Sequence, residues 1–341
     1  MPAPALTLPA EFQQRLYAYL NGLGREAAQS ARDVMDLSDF YLKNSGGRTP
    51  WDKSFCKNAY LNYFLPLNTA RLVSVMRDLQ RFLPAQSVSE VWDFGAGLGA
   101  TQWAMETLTD WEPRKIHALE ADKSATSLYR ELQAVLGARW PVEFNSRSQP
   151  ASRALAVFSY SFLEMQNVLP DLRLFDHLLI VEPSTQERGR ELMQWRARLM
   201  RDGFNPLAPC THAADCPLLV NSARDWCHMR MHFAAPEEFR RLEEHLPMKN
   251  RTLTYSYLLM SRSVTDGEWR GSARVIGDTL VENGKTKQMI CRGSRREFLS
   301  WLHRHGVAPA IPHGALVRGV DAAEVKGSEL RAAPGSLEWV I

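Results

Sequence analysis

Apolar residues recur with two different periods along the chain, and the period changes near residue 85. Phe12, Leu16, Tyr19 and Leu20 repeat at three- and four-residue steps, as do Leu72, Val73, Met76, Leu79 and Phe82, so residues 10 to 84 are predicted to be helical. From Ser87 the pattern shifts to short β-rich runs, SVSEVWDF, KIHALEAD, PVEFN, ALAVFSY and DHLLIVEPS, the first three separated by helix-length stretches. Such alternation predicts βαβ units around a parallel sheet, an α/β fold. An Arg-rich helix is expected over residues 187 to 200, followed by a proline-containing segment with neither period that reads as an ordered loop. A helix over residues 236 to 245 and a buried strand, TLTYSYLLMS, come next, and three further strands are expected near residues 273 to 276, 288 to 291 and 315 to 319. The expected organisation is a helical region, 1–84, a central domain, 85–262, with an insertion at 205–233, and a β-rich extension, 263–341.

The first strand runs into Val91-Trp-Asp93-Phe-Gly95-Ala-Gly97-Leu-Gly99-Ala-Thr101, which opens a helix. Glycines there let the backbone turn sharply and approach a ligand with no Cβ in the way. The pattern also fits a dinucleotide fingerprint. Asp93 discriminates between the two, because a carboxylate beside the loop repels a pyrophosphate and suits a cation. S-adenosylmethionine carries an ammonium and a sulfonium, so it is the expected cofactor, held at Asp93, Gly95, Gly97 and Gly99. Glu120, at the end of the second strand, is positioned to accept the ribose hydroxyls of either cofactor. No catalytic residue is identified. Phe158-Ser-Tyr160-Ser-Phe-Leu-Glu164 follows the fourth strand in place of the Asn/Asp-Pro-Pro-Tyr of enzymes that methylate base amino groups, and methyl transfer asks mainly for in-line positioning.

Cys210, Cys216 and Cys227 lie in the aperiodic segment and Cys291 follows much later, a C-x5-C-x10-C-x63-C spacing. Thiolates gathered in this way suggest a metal. No pair forms the C-x2-C knuckle common in zinc ribbons, whereas an iron-sulfur cluster accepts ligands from distant loops. A mixed zinc site completed by His212, His228 or His232 is the alternative, and buried structural cysteines are the other. Five cysteines, an odd number, argue against a disulfide-stapled secreted protein.

Hydrophobic content of 45%, charged content of 23% and 341 residues describe a globular chain with ample core material. No apolar run approaches a membrane span and no secretory signal is visible, so the cytoplasm is the expected location. A net charge of +3 does not by itself imply nucleic acid. Lys285, Lys287, Arg292, Arg295, Arg296 and Arg304 do cluster around Cys291 against the single acid Glu297, which reads either as a solvated face or as a phosphate-contacting surface.

Over residues 60 to 305 the chain resembles the methyltransferase-like proteins of small ribosomal subunit assembly, found in mitochondria and with bacterial relatives. The resemblance rests on Tyr63-Phe-Leu-Pro66, DFGAGLGAT, Val181-Glu-Pro-Ser-Thr185, PC-x5-CP, Asp225-Trp-Cys-His228 and Tyr255-Ser-Tyr-Leu258. Ser184 stands where the family's Glu-Pro-Gly-Thr motif has glycine. The resemblance implies a Rossmann-like, class I S-adenosylmethionine-dependent methyltransferase fold with a metal-binding insertion. It further implies a four-iron four-sulfur (4Fe-4S) cluster on Cys210, Cys216, Cys227 and Cys291, and association with small-subunit rRNA as an assembly factor or RNA methyltransferase. A catalytically silent RNA-binding module on the same scaffold and a small-molecule methyltransferase with structural zinc remain the alternatives.

Overall fold

The structure is a computed structural model that describes residues 5–44, 48–108, 110–113, 115–263, 269, 271–333 and 335–341. It opens with α1 (Ala10–Gly22), α2 (Ala27–Lys43) and α3 (Ser54–Ala59), which continues through one π-helical turn (Tyr60–Phe64) into α4 (Leu65–Phe82). Pro66 has no N–H to return into that turn, and a wider turn accommodates its ring. The buried face of α1 is Phe12, Leu16, Tyr17 and Leu20. Tyr17 thus takes the place that spacing alone gave to Tyr19, which is half-buried and donates its hydroxyl to Glu131.

The expected strands then appear as β1 (Glu90–Phe94), β2 (Ile116–Leu119), β3 (Val142–Phe144), β4 (Ala154–Ser159) and β5 (His177–Glu182). Between them lie α5 (Ala100–Met105) after β1 and α6 (Lys123–Leu136) after β2, and α7 (Gln186–Arg201) follows β5. Two strands flank the segment read as a loop, β6 (Asn205–Ala208) and β7 (Met229–His232), with the short α8 (Pro217–Val220) between them; α9 (Glu237–Glu244) and β8 (Thr252–Ser261) complete the region. β6 was illegible because Pro206 lies within it and Pro209 follows it, and proline within a run argues against a strand.

The first sheet has the order β3-β2-β1-β4-β5-β8-β6, with β7 extending it along β8. β1 to β5 pair in parallel, whereas β8 runs antiparallel to β5 and β6. This is a Rossmann-like, doubly wound sheet with antiparallel strands added at one side. The strand order reverses between β1 and β4, and the crevice outside the carboxyl ends of the strands at such a switch point is where ligands bind in doubly wound sheets.

A second sheet holds β9 (Ala273–Val275), β10 (Leu280–Glu282), β11 (Lys285–Cys291), β12 (Glu297–Leu302), β13 (Leu316–Arg318), β14 (Glu324–Lys326), β15 (Glu329–Arg331) and β16 (Glu338–Val340). Its own small core comprises Val275, Ile290, Leu299, Trp301, Val317 and Leu330. Cys291, Ile276 and Leu316 instead pack into the main core, so one end of this sheet is built into the first body. No described helix is long and apolar enough to cross a membrane.

Candidate functional site

β1 ends at Phe94 and the chain turns through Gly95, Gly97 and Gly99 at φ +70, +52 and +80. Each is left-handed backbone that costs a Cβ-bearing residue roughly 1–2 kcal/mol. The three glycines serve different ends. A Cβ on Gly95 would stand 2.7 Å from Ser161 Cβ, and one on Gly99 2.2 Å from the Tyr129 ring. A Cβ on Gly97 would meet only Trp51 Cζ2, at 3.8 Å. Gly95 and Gly99 are therefore packing glycines, and Gly97 is the one that leaves room for a ligand, under a roof contributed by the N-terminal region.

Asp93, on the strand below this loop, is 1% exposed. Burial pushes its carboxyl up to about 7, the nearby Thr101 hydroxyl offsets part of that rise, and the charge of Glu120 adds to it. Neither Asp93 Oδ1 nor Thr101 Oγ1 makes a hydrogen bond of full geometry. A buried carboxylate with the Thr101 hydroxyl as its one near donor and no full hydrogen bond at Oδ1 leaves a demand for a further donor or a cation. Glu120, one residue past β2, accepts from Gly97 N at 3.1 Å and from Asp122 N at 2.8 Å, which fastens the two strand-end turns together. These carboxylates and Gly97 fit a cationic cofactor lying across the carboxyl ends of β1 and β2.

Beside this crevice, Tyr160 holds φ +62 directly after β4, with its buried hydroxyl unpartnered and Arg71 5.9 Å above its ring. Strain of this kind at a strand end is common where a side chain must be aimed. Glu182, 2% exposed at the end of β5, accepts from Leu163 N at 2.9 Å, and burial pushes it up to about 7. Burial also raises Glu164.

The four cysteines form the second feature. Cys210, Cys216 and Cys227 lie between β6 and β7, Cys291 ends β11, and all four are buried. Burial raises the Cys227 thiol well above its ordinary value, and the charges of Cys210, Cys216 and Cys291 follow in that order, which puts these three within electrostatic reach of Cys227. Cys56, in α3, is raised to about 12 by burial and then by Asp122 and Asp52, apart from the other four. His212 Nε2 stands 3.2 Å from Cys291 Sγ, whereas His228 Nδ1 faces the Trp226 carbonyl. Among the described residues no group of three or more His, Cys, Asp or Glu side chains has the geometry to hold a single metal ion. Neither the mixed His and Cys zinc site considered from sequence nor a four-cysteine site for a single ion is thus assembled among them.

Two arginines that sequence reading passed over flank the thiols. Arg274 lies opposite Cys291 in the pairing of β9 with β11, is 3% exposed, and bridges Asp78 at 2.9 Å. Arg196 is 1% exposed on α7 and donates to the carbonyls of His212 and Ala214 at 2.7 and 3.0 Å. A signal for it existed: Gly189, Leu192, Met193, Arg196 and Leu199 form the buried stripe of α7, and a lone arginine on an apolar stripe calls for a counter-charge. Around this core the cysteine loop is sewn to its neighbours. Ser256 Oγ donates to Cys227 O at 2.8 Å, Trp226 Nε1 to Ser184 O at 2.7 Å, and Arg274 Nε to Pro209 O at 3.2 Å.

The basic array expected around Cys291 does not stand free. Lys285 pairs with Glu329 and Glu282, Lys287 with Glu282, Arg292 with Glu297 and Asp321, and Arg296 with Asp225 at 2.7 Å. Arg304 hydrogen-bonds His305. Only Arg295 of that set lacks an ion pair or hydrogen bond among the described residues, because folding brings acids from β10, β15 and the cysteine loop across to cations that are unopposed in sequence.

With this geometry in place, the chain matches the family model described as mitochondrial small ribosomal subunit Rsm22 over residues 56–308. No curated protein matches it. Similar solved structures include a Pyrococcus horikoshii protein described as a candidate RNA methyltransferase, at 14% identity and TM-score 0.34, covering 57% of this chain and 84% of the other. M. jannaschii TYW2 in complex with AdoMet shares 12% identity at TM-score 0.30, with 56% and 77% covered. A ribosomal protein L11 methylase from Lactobacillus delbrueckii subsp. bulgaricus shares 14% identity at TM-score 0.32, with 57% and 79% covered. Scores this low add nothing to the fold assignment, which rests on the strand order.

Proposed function

The chain belongs to the mitochondrial small ribosomal subunit Rsm22 family, and on that footing we propose that it is an S-adenosylmethionine-binding, iron-sulfur protein that acts on the small ribosomal subunit and its rRNA. The observation that carries the reading is a pair of buried features of opposite charge. Asp93 supplies a buried carboxylate under Gly97 whose Oδ1 has no hydrogen-bond partner, and four buried thiols lie against Arg196 and Arg274. In the cofactor crevice Asp93 would meet the amino-acid end, Gly97 would leave the space for the cofactor within a turn that Gly95 and Gly99 hold by packing, and Glu120 would face the ribose. Bound there, S-adenosylmethionine supplies an electrophilic methyl group. Tyr160, Glu164 and Glu182 border that crevice without forming a nucleophile and base pair, so positioning is the protein's contribution to any transfer.

In the thiol site Cys210, Cys216, Cys227 and Cys291 would hold a 4Fe-4S cluster; zinc is the competing occupant, and a single ion would require the four thiols to draw into an arrangement that the described residues do not have. An all-sulfur donor set suits either, and the absence of a C-x2-C knuckle together with the distant fourth ligand favours the cluster. A cluster there would tie the segment between β6 and β7 to β11 of the second sheet. Anaerobic purification followed by an absorbance spectrum and iron and sulfide assay tests this. Stoichiometric zinc without iron would overturn the cluster. Calorimetry tests the other half, with S-adenosylmethionine binding expected in the wild type and lost in Gly97→Arg; preference for NAD would overturn the reading of Asp93. Co-sedimentation with small subunits tests the partner.

A further inference from the structure

Arg196 is the buried charge left over when both features have been described. Its side chain is 1% exposed, its Nε has no hydrogen-bond partner, and its guanidinium donates to two neutral carbonyls of the cysteine loop and reaches the Cys210 thiol. Among the described residues it makes no ion pair. Arg274, on the other side of the thiols, is balanced by Asp78. Leaving a full positive charge buried and uncompensated costs several kcal/mol, so a fold that retains one there keeps something negative beside it. The two carbonyls it holds lie in the stretch between Cys210 and Cys216, and the His212 ring of that stretch stands 3.2 Å from Cys291 Sγ, which places the guanidinium beside the thiols.

We propose that Arg196 is the counter-charge of the thiolate-bound metal group, setting how tightly that group is held and how readily it accepts an electron. The proposal rests on the metal reading above. Four thiolates around a four-iron cluster or a zinc ion leave a net negative charge, and a cluster becomes more negative on reduction, so a fixed cation beside it favours the reduced form. The two carbonyl contacts offer a competing account, in which Arg196 only pins the residues between Cys210 and Cys216. Charge and pinning separate by substitution. Arg196→Gln keeps hydrogen bonding without charge, Arg196→Lys keeps charge without the fork, and Arg196→Met keeps volume alone.

The experiment uses the full-length chain loaded with iron and sulfide, titrated on a poised electrode and followed by visible absorbance, and in parallel the apo chain loaded with Co(II) and competed with a chelator. If the charge acts, the Gln and Met variants shift the one-electron equilibrium at least tenfold toward the oxidised form, about 59 mV more negative. They also release Co(II) at roughly tenfold lower chelator, while the Lys variant stays near wild type on both readouts. A Gln variant indistinguishable from wild type would reduce Arg196 to a clamp and overturn the proposal. A wild-type chain that takes up neither iron and sulfide nor Co(II) would overturn the metal reading itself, which the variants play no part in. Should the Met variant fail to fold, the Gln and Lys pair decides alone.

Discussion

The glycine crevice and the thiol site are both buried and both unbalanced, in opposite senses. The first is assembled from neighbouring strand ends, with Asp93 and the three glycines within seven consecutive residues and Glu120 one strand away, and its unmet charge is a carboxylate. The second is assembled across two sheets, with its ligand candidates 64 positions apart at Cys227 and Cys291, and its unmet charge is a guanidinium. A buried ionisable group either gives up its charge, as Asp93 does with its raised value, or keeps it at a cost that an opposite charge relieves, so the two sites ask for partners of opposite sign. The local site should survive loss of its ligand; the long-range site should not.

The sharpest way to break that contrast is Cys291→Ser. Because metal binding and folding are coupled, this variant should lose iron and destabilise the protein by more than about 4 kcal/mol, with the second sheet becoming the protease-sensitive part. Urea denaturation with limited proteolysis would show it, and a full iron complement in Cys291→Ser would remove Cys291 from the ligand set. Next in size is Gly99→Ala, which should cost about 2–4 kcal/mol from left-handed strain plus overpacking against Tyr129. Gly97→Ala, meeting only Trp51, should cost about half as much in a thermal melt, and equal costs would mean the loop is uniformly packed.

The charge of Asp93 predicts a pH dependence. Its folded value of about 7 lies above the ordinary 3.8, so it stabilises the ligand-free fold fully at low pH, and that stability is lost as pH rises through 7. Asp93→Asn should remove this slope from ligand-free unfolding curves, up to about 1.4 kcal/mol per pH unit between pH 5 and 7. S-adenosylmethionine affinity in the wild type should run the other way, rising up to about tenfold per unit over the same window; flat binding across it would detach Asp93 from the cofactor. The smallest effects concern the cations near Cys291. Arg295→Ala should flatten the log-log salt dependence of rRNA binding by about 0.7 if it meets one phosphate of a single strand. Arg296→Ala, which breaks the partly exposed pair with Asp225, should cost only about 0.2–1 kcal/mol of stability.

These differences trace which parts of the molecule the sequence determined by itself. The helical opening, the five parallel strands, the glycine turn and Asp93 were all readable, because helix faces, strand runs and turn residues are set by neighbours a few positions away. The edge strand β6 was hidden by its prolines, and the substitution of Tyr17 for Tyr19 on the buried face of α1 turned on how the helix is rotated against its neighbours. Cysteine spacing raised the metal question, yet only tertiary structure brought the four thiols together and put Arg196 and Arg274 beside them. Tertiary structure likewise turned a run of cations into a set of ion pairs, since the acids that neutralise Lys285, Lys287, Arg292 and Arg296 lie on other strands and loops. Local geometry is written into short stretches of chain, whereas electrostatic balance is a sum over everything that folding brings within a few ångströms.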